Sequence, residues 1–278
     1  MVDISNPNQS RMPRRPFSVK TQTGFTEMAI ICFFLLYAPL VPLVVYSFNA
    51  GDSLAFWEGF SLRWYVAAWN NEMVKDVTIR SIYLASVASV IATTLATMAA
   101  LGTTRIKPYK GQTAIYAMIN QPLMVPEIVT AVALLIMFAW IKAATDYHGM
   151  AYLIIAHTAF CIPFAYLPIR ARLEGMDLTL ETAAADLYAT PWLTFRRVTL
   201  PLVWPGILAG GILAFVISLD DVVITQLVKS AGQNTLPTYM LGQLRRVITP
   251  EVHAISSVLL AVSVAIVTAI FFLNRRIK

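Results

Sequence analysis

Six long apolar stretches, separated by shorter polar segments, dominate the hydrophobic pattern of this 278-residue chain. A helix needs about 20 mostly apolar residues to cross the hydrocarbon core of a bilayer, and an isolated span must satisfy its backbone hydrogen bonds internally. The pattern therefore predicts an all-α integral membrane bundle of six transmembrane helices. Their approximate bounds are 27–49, 80–104, 113–141, 149–169, 204–228 and 253–274.

The composition agrees with a membrane protein. Hydrophobic residues make up 58% of the chain and charged residues 13%, whereas a typical soluble domain is about 25% charged. The net charge of +6 does not indicate a nucleic-acid partner, because the Lys and Arg residues flank apolar runs instead of gathering on one solvated face. The chain is therefore expected to be surrounded by membrane lipid. The two cysteines, Cys32 and Cys161, lie in apolar stretches and are expected to act as small apolar residues.

The distribution of positive charge predicts the topology, because cytoplasmic segments retain Lys and Arg. With six spans, four basic segments share one side of the membrane: residues 1–24, 105–110, 170–197 and 275–278. Both termini are therefore predicted to be cytoplasmic, with a basic tail at 1–24 and one membrane domain at 25–278. A signal peptide is the alternative for the N-terminus, but the apolar run that follows exceeds the usual length of about 7–15 residues and lacks a cleavage site.

Residues 170–203, between the predicted fourth and fifth spans, are too many for a simple turn and too polar for a span. They are expected to form short helices on the cytoplasmic face. Asp177 or Thr179 is a candidate cap for one helix, the alanines at 183–185 favour helix, and Pro191 suits the first turn of the next helix.

Within this segment, TAAADLYATPWLTFRRVTLP at residues 182–201 resembles the coupling loop of permease subunits of bacterial ABC importers. The family pattern is EAA, three residues, Gly, nine residues, Ile, one residue, then Leu-Pro. Val198 stands in place of the Ile. The resemblance implies that this loop forms a coupling helix, docks into the ATPase subunit and transmits its closure to the membrane helices. The implied coupling residues are Thr182, Ala183, Ala184, Asp186, Tyr188, Ala189, Leu200 and Pro201.

Two positions depart from the family pattern. Its Glu falls on Thr182, with Glu181 one position early, and its Gly falls on Tyr188. A Tyr at the position of a turn glycine needs either a regular helical backbone or a strained one. An ordinary amphipathic interfacial helix is the alternative, and it explains the charges of the segment but not the spacing of the motif.

Other stretches most resemble the second permease subunit of spermidine/putrescine importers. They are YAPLVPLVVYSFN (37–49), SLRWY (61–65), QPLMVPEIVTAVALL (121–135), SLDDVVIT (218–225), LPTYM (236–240) and TPEVHA (249–254). The resemblance implies an inner-membrane subunit that moves polyamines into a bacterial cytoplasm. It also implies three kinds of partner: a second homologous permease, two ATPase subunits and a periplasmic solute-binding protein. An amino-acid derivative, a quaternary amine or a ferric ion is the alternative cargo.

Three carboxylates interrupt the apolar spans: Glu127, Asp220 and Asp221. Such charges cost roughly 2.5–3.5 kcal/mol each on insertion scales and usually face a bundle interior or a wet cavity. A small cationic solute would balance them, which predicts a substrate path. As the alternative, Asp220 and Asp221 cap broken backbone at the external end of the fifth span. Adjacent helical residues point about 100° apart, so both are not expected to face one ligand.

The alternative for Glu127 is also a structural role. Pro122 and Pro126 interrupt the local helical hydrogen bonds, and the Glu127 carboxylate would accept from the backbone donors left without partners or from donors of a partner chain. His157 lies mid-span, where a hydrogen bond between helices is the usual role. His148 and His253 lie near the predicted membrane boundaries, and the spacing of the three histidines does not predict a metal site.

The sequence favours no enzymatic activity in this chain. It contains no phosphate-binding GxxxxGK[ST] loop, so ATP and Mg²⁺ are expected to bind a separate ATPase subunit. A membrane-embedded enzyme would need a catalytic arrangement that the sequence does not show. An ion-driven secondary transporter is the remaining alternative, and it would predict an internal repeat with paired broken helices.

Overall fold

The computed structural model describes residues 24–52, 56–106, 109–245 and 250–276, with side chains in the last segment described at 250–265 and 268. The predicted basic tail up to residue 23, Lys107, Arg246, Thr249 and Lys278 lie outside these residues. The described chain is helical, and its one β-type contact is an isolated bridge between Asn49 and Phe60.

Thirteen α-helices follow one another along the described chain. The first seven are α1 (Phe25–Tyr37), α2 (Leu40–Tyr46), α3 (Arg63–Asn70), α4 (Glu72–Thr104), α5 (Gln112–Met124), α6 (Glu127–Thr145) and α7 (Ala151–Glu174). The remaining six are α8 (Thr179–Asp186), α9 (Pro191–Thr194), α10 (Leu200–Asp220), α11 (Val223–Val228), α12 (Leu236–Leu244) and α13 (Pro250–Arg276). A π-helical turn, Phe195–Thr199, joins α9 to α10 without a break.

Four helices of the described chain are long and apolar enough to cross a membrane: α4, α6, α7 and the continuous helix Pro191–Asp220. The pair α1 and α2 also meets this test, with a bend of 41° between its members. Helix α13 is 27 residues long, and its described apolar part is Pro250–Ala265. The prediction of an all-α bundle of membrane-spanning helices is therefore confirmed, with four or five spans identified by length and hydropathy.

Two predicted spans are divided by proline. The first predicted span breaks at residues 38–39 into α1 and α2. The third breaks at Val125 and Pro126, where Val125 adopts an extended backbone with ψ of 137°. Proline disfavours the helical conformation of the residue before it and cannot donate a backbone hydrogen bond. An interruption of the third predicted span by Pro122, Pro126 and Glu127 was expected, and the structure places it at Val125 and Pro126, so that α6 is long enough to span on its own.

The helix boundaries on either side of the predicted coupling loop also differ from the predicted ones. Helix α7 continues through Glu174, and the fifth span begins as a continuous helix at Pro191 instead of near residue 204. That span ends at Asp220, eight residues before the predicted end at Val228, because Asp221 adopts an extended backbone with ψ of 133°. The short helix α11 follows this break.

The core of the bundle is formed by α4, α7 and α10, which pack against one another. Helix α4 presents to its neighbours a face of small residues, which recur every three or four positions along the helix. The fully buried alanines of this face are Ala85, Ala88, Ala92, Ala96 and Ala100. Small side chains let helix backbones approach closely, which is how helices associate in lipid, where hydrophobic burial supplies little driving force.

Glycines on α10 provide the closest approach to α7. Gly206 and Gly210 form a GxxxG pattern, and both are buried. A Cβ atom at Gly210 would lie 2.6 Å from the carbonyl oxygen of Ala165, and one at Gly206 would lie 2.8 Å from Cβ of Arg172. This glycine pattern was not among the features predicted from the sequence. It lets the two helices pack in contact along most of their length.

Polar contacts tie the helices together at both ends of the bundle. At one end, Arg172 Nε on α7 donates to the carbonyl of Leu202 on α10 at 2.9 Å. At the other end, Arg80 on α4 donates to the carbonyl of Gly232 at 2.7 Å. There, Lys142 on α6 donates to the carbonyl of Val228 at 3.0 Å. The two ends flank the apolar middle of the bundle.

Candidate functional site

The break between α10 and α11 is stabilised by Asp221. Its Oδ1 accepts from the backbone N–H of Ile224 at 3.2 Å, and its Oδ2 accepts from that of Thr225 at 2.9 Å. The hydroxyl of Thr225 donates to the same Oδ2 at 2.7 Å. Asp221 therefore satisfies backbone donors that the interruption leaves free, and it does so with a side chain that is 1% exposed.

His157 on α7 completes this buried polar cluster. Its Nδ1 lies 2.8 Å from the hydroxyl of Ser218, and its Nε2 lies 2.9 Å from the hydroxyl of Thr225. Since the Thr225 hydroxyl donates to Asp221, it accepts from Nε2–H. If the ring is neutral, the Ser218 hydroxyl donates to Nδ1.

Glu127 begins α6 directly after the Pro126 break, and its half-buried carboxyl group lies against that of Asp221. Two interrupted helices therefore bring two carboxyl groups together inside the bundle. When both are ionised they repel each other, and a proton or a cation relieves this repulsion. The hydrogen-bond donors to Asp221 come from α11 and its side chain is 1% exposed, so Glu127 is the carboxyl group of this pair that is more open to a ligand.

Asp220 ends α10 and has an exposed side chain. The structure thus places the three predicted substrate-path residues at one level of the bundle but in three environments. Asp221 is buried and caps α11, Glu127 is half-buried beside it, and Asp220 is exposed. Contact of any of them with a solute stays a prediction.

Sequence reasoning missed Ser218 and Thr225. They lie three residues before and four residues after Asp221, which is the spacing of one helical face. This pattern could have indicated that Asp221 belongs to an internal polar cluster. The expected role of His157, a hydrogen bond between helices, is what the structure places at this position.

The second candidate region is the coupling segment, defined as residues 177–201. Asp177 Oδ1 accepts from the backbone N–H of Thr179 at 2.9 Å, and this hydrogen bond holds the pKa of Asp177 below its usual value. Thr190 accepts from the backbone N–H of Leu193, and Pro191 lies in the first turn of α9. The predicted capping and the two short helices are therefore present.

Tyr188 occupies the position of the family glycine with a left-handed backbone of φ 60°. Its N–H donates to the carbonyl of Ala185 at 2.9 Å, and the N–H of Ala189 donates to that of Ala184 at 3.0 Å. These two bonds form the turn that commonly ends a helix at a glycine. The turn typical of glycine is therefore present with tyrosine in the glycine position. Of the two backbone conformations expected for this tyrosine, regular helical or strained, the structure shows the strained one.

Glu181 points toward the membrane helices. Its Oε1 accepts from the hydroxyl of Thr199 at 2.8 Å and lies 3.4 Å from Nε of Arg105. Thr182, at the position of the family Glu, is exposed and donates its hydroxyl back to the carbonyl of Leu178. Glu181 was not among the predicted coupling residues, and the structure shows that it is the acidic residue that connects α8 to the bundle.

Large apolar side chains are exposed on the turn and helix after α8. Leu187 is 82% exposed, Tyr188 is 96% exposed and Trp192 is 69% exposed. Of the other predicted coupling residues, Ala183 and Asp186 are exposed, whereas Ala184 and Ala189 are half-buried. An aromatic and aliphatic surface of this kind is typical of a protein-docking site.

Leu200 and Pro201 mark the transition from the coupling segment to α10. The N–H of Leu200 donates to the carbonyl of Phe195, five residues earlier, as in a π-helix. Pro201 cannot donate a backbone hydrogen bond, and its ring crowds the carbonyl four residues before it. A π-helical turn next to this proline keeps the helix continuous from Pro191 to Asp220.

Among the residues that the structure describes, no group of three or more His, Cys, Asp or Glu side chains is arranged to hold a metal ion.

Comparisons with known proteins agree with this architecture. The model of the family described as "Binding-protein-dependent transport system inner membrane component" matches residues 92–278. The chain is 35% identical over 234 residues to the Putrescine transport system permease protein PotI of Escherichia coli K12, covering 83% of each protein. It is 32% identical over 246 residues to the Spermidine/putrescine transport system permease protein PotC of Haemophilus influenzae, covering 88% of this chain and 94% of that protein.

Solved structures share the fold at lower sequence identity. A bacterial ABC transporter involved in the import of the acidic polysaccharide alginate matches with a TM-score of 0.68 at 17% identity, covering 91% of this chain and 94% of that chain. The MetNI methionine ABC transporter in inward-facing conformations matches with a TM-score of 0.58 at 18% identity, covering 74% and 97%.

Proposed function

The chain belongs to the family of binding-protein-dependent transport system inner membrane components, and from this membership we propose that it forms one half of a polyamine pathway across a bacterial inner membrane. It is a multi-pass permease subunit of an ABC importer, and it is not an enzyme. ATP and Mg²⁺ bind in a separate ATPase subunit in this proposal, since this chain has no phosphate-binding loop.

The proposed topology has six spans and cytoplasmic termini. The bent pair α1 and α2 forms the first span, and the 27-residue helix α13 forms the sixth. The two ends of the bundle carry the charge asymmetry that supports this orientation. Arg105, Arg172 and the coupling segment with its Arg196 and Arg197 lie together at the proposed cytoplasmic end. At the other end, Lys75 and Arg80 are each paired with an acidic residue of α4.

The proposed assembly contains this permease, a second homologous permease, two ATPase subunits and a periplasmic solute-binding protein. The exposed surface of Leu187, Tyr188 and Trp192 supports docking to an ATPase, because such a surface is unfavourable in water. In this assembly the coupling segment lies in a groove of the ATPase, and closure of the ATPases on ATP displaces the segment.

Putrescine or spermidine is the proposed solute, as the names of the relatives at 35% and 32% identity indicate for those proteins. The single observation in this chain that carries the proposal is the pairing of Glu127 with Asp221 at a break in two spans. A cationic amine relieves the repulsion between them. Within the path, Glu127 and Asp220 contact the solute, and Asp221 holds the site in shape by capping α11.

Competition for uptake tests the solute class. The complete complex is reconstituted in liposomes with ATP inside and its solute-binding protein outside, and uptake of labelled putrescine is measured. Excess unlabelled spermidine is expected to compete, whereas a quaternary amine, an amino acid and a ferric ion are not. Competition by one of those three solutes instead of spermidine would contradict the polyamine proposal and indicate that the importer carries that other solute.

A further inference from the structure

We propose that the ion pair between Arg105 and Glu181 is a positioning contact through which the coupling segment moves α4, and that α4 carries this movement to the loop at residues 229–235 on the opposite side of the membrane. The inference rests on the proposed function, since the ATPase is the source of the movement. It assigns α4 a mechanical role in addition to its role in the core.

The contact joins three elements through one carboxylate. Arg105 directly follows α4, and its Nε lies 3.4 Å from Oε1 of Glu181 on α8. The same oxygen accepts from the hydroxyl of Thr199, in the π-helical turn before α10, at 2.8 Å. The two charged side chains are 19% and 22% exposed, so solvent screens them less than a fully exposed pair. A displacement of α8 therefore acts on the end of α4 directly.

Helix α4 is suited to transmit a displacement. It is an unbroken helix of 33 residues, about 50 Å long, and contains no proline. The other two core helices carry interruptions: Pro163 and Pro168 in α7, and Pro205 in α10 before its break at Asp221. A continuous α-helix moves as a rigid element, whereas prolines and breaks are where helices bend.

The opposite end of α4 holds the loop at residues 229–235. Arg80 Nη1 donates to the carbonyl of Gly232 at 2.7 Å and to that of Asn234 at 3.1 Å. One residue further along α4, the hydroxyl of Ser81 accepts from the backbone N–H of Leu236 at 2.7 Å. A shift of α4 along its axis therefore displaces the loop through two hydrogen bonds and the start of α12 through a third.

The test compares single substitutions with a charge swap in the complete complex. Glu181→Gln and Arg105→Gln remove the pair, and Arg105→Glu combined with Glu181→Arg restores it in reverse. Glu174→Gln is the matched control, because its partner Arg170 lies on the same helix, four residues earlier, at the same end of the bundle. Each variant is assayed for co-purification with the ATPase, ATP hydrolysis, and putrescine uptake into liposomes.

The single variants are expected to co-purify with the ATPase and to hydrolyse ATP. They should transport about fivefold less putrescine per ATP, which is the lower end of typical coupling effects. The charge swap is expected to recover most of this loss, and Glu174→Gln should behave as the wild type. Wild-type transport per ATP in the single variants, or a swap as defective as they are, would overturn the proposal.

A second measurement does not depend on the cargo. In a Cys32→Ala background, Ala231→Cys places a thiol on the exposed part of the loop, while the remaining Cys161 is buried. ATP binding is expected to change the labelling rate of this thiol in the wild type and not in Glu181→Gln. An equal change in both would also overturn the proposal. A wild-type complex that shows this change without ATP-driven putrescine uptake would instead refute the proposed polyamine function.

Discussion

His157 Nε2 lies 3.4 Å from Oδ2 of Asp221, and both side chains are 1% exposed. The two residues come from α7 and from the break after α10, so their contact joins one core helix to the interruption of another. Thr225, Ser218 and the backbone N–H of Ile224 satisfy the remaining polar atoms of the pair. The cluster is therefore a structural junction that fixes where the fifth span ends.

Removal of the Asp221 carboxylate is expected to destabilise the permease. Asp221→Ala leaves two backbone N–H groups and the Thr225 hydroxyl without their acceptor, at a cost of about 1–3 kcal/mol for each buried group left unsatisfied. Asp221→Asn keeps one oxygen and should lower the thermal midpoint of the purified permease less. Asp220→Ala is the control, because this side chain is exposed. Equal midpoints for all three variants would contradict the capping role of Asp221.

Neutralisation of Glu127 is expected to impair transport without unfolding the protein. Glu127→Gln keeps the size of the side chain and removes the charge that the cationic solute would meet. Loss of one charged hydrogen bond, about 1.4 kcal/mol, corresponds to about a tenfold decrease in the apparent affinity for putrescine. The measurement is the concentration dependence of uptake into liposomes. Glu72→Gln, an exposed residue paired with Lys75 on α4, is the control, and unchanged uptake in Glu127→Gln would remove this residue from the path.

Substitutions of Tyr188 separate the effect of backbone strain on stability from the effect of the aromatic ring on ATPase binding. Tyr188→Gly removes both the ring and the left-handed strain of about 1 kcal/mol, whereas Tyr188→Ala removes the ring and keeps the strain. The glycine variant should therefore have the higher thermal midpoint of the two. Both variants should bind the ATPase more weakly in co-purification, and Tyr188→Phe should retain binding. Full ATPase binding by Tyr188→Ala would show that the exposed ring does not contact the ATPase.

Close packing of α10 on α7 predicts that Gly210 tolerates no side chain. In Gly210→Ala the added Cβ would lie 2.6 Å from the Ala165 carbonyl oxygen, and overpacking of this kind typically costs about 1–3 kcal/mol. Gly102→Ala on α4 is the matched control, since its Cβ would have nothing within 4 Å. A helical alanine is more favourable than glycine, so the control should be as stable as the wild type. Thermal unfolding in detergent distinguishes them, and equal midpoints would contradict the proposed contact.

Hydropathy predicted the membrane class and most spans, and the prolines and carboxylates within them indicated interruptions without giving the exact position of each break. The breaks at Pro126 and Asp221 depend on which backbone groups find a partner. Asp221 accepts its hydrogen bonds from α11 and lies 3.4 Å from Nε2 of His157 on α7. Residues far apart in sequence, such as His157 and Thr225, meet there. Only the i, i+3 and i+7 spacing of Ser218, Asp221 and Thr225 carried a signal of this cluster in the sequence.

The coupling segment was located from its motif, and its local geometry departed from what the motif alone indicates. Leu200 and Pro201 lie at the start of α10, whereas the predicted fifth span began near residue 204. The acidic residue one position early, Glu181, could not be assigned a partner from sequence, because Arg105 belongs to a different helix. Likewise, the left-handed backbone of Tyr188 follows from the turn that ends α8 and not from the preference of tyrosine.

Entry of putrescine into liposomes that carry the complete complex tests the central claim most directly. Labelled putrescine and the solute-binding protein are supplied outside, and the liposomes contain either ATP with Mg²⁺ or a non-hydrolysable ATP analogue. Putrescine is predicted to accumulate with ATP and not with the analogue. Accumulation without ATP under an imposed ion gradient, or no accumulation with ATP, would contradict the assignment of this permease to an ATP-driven polyamine importer.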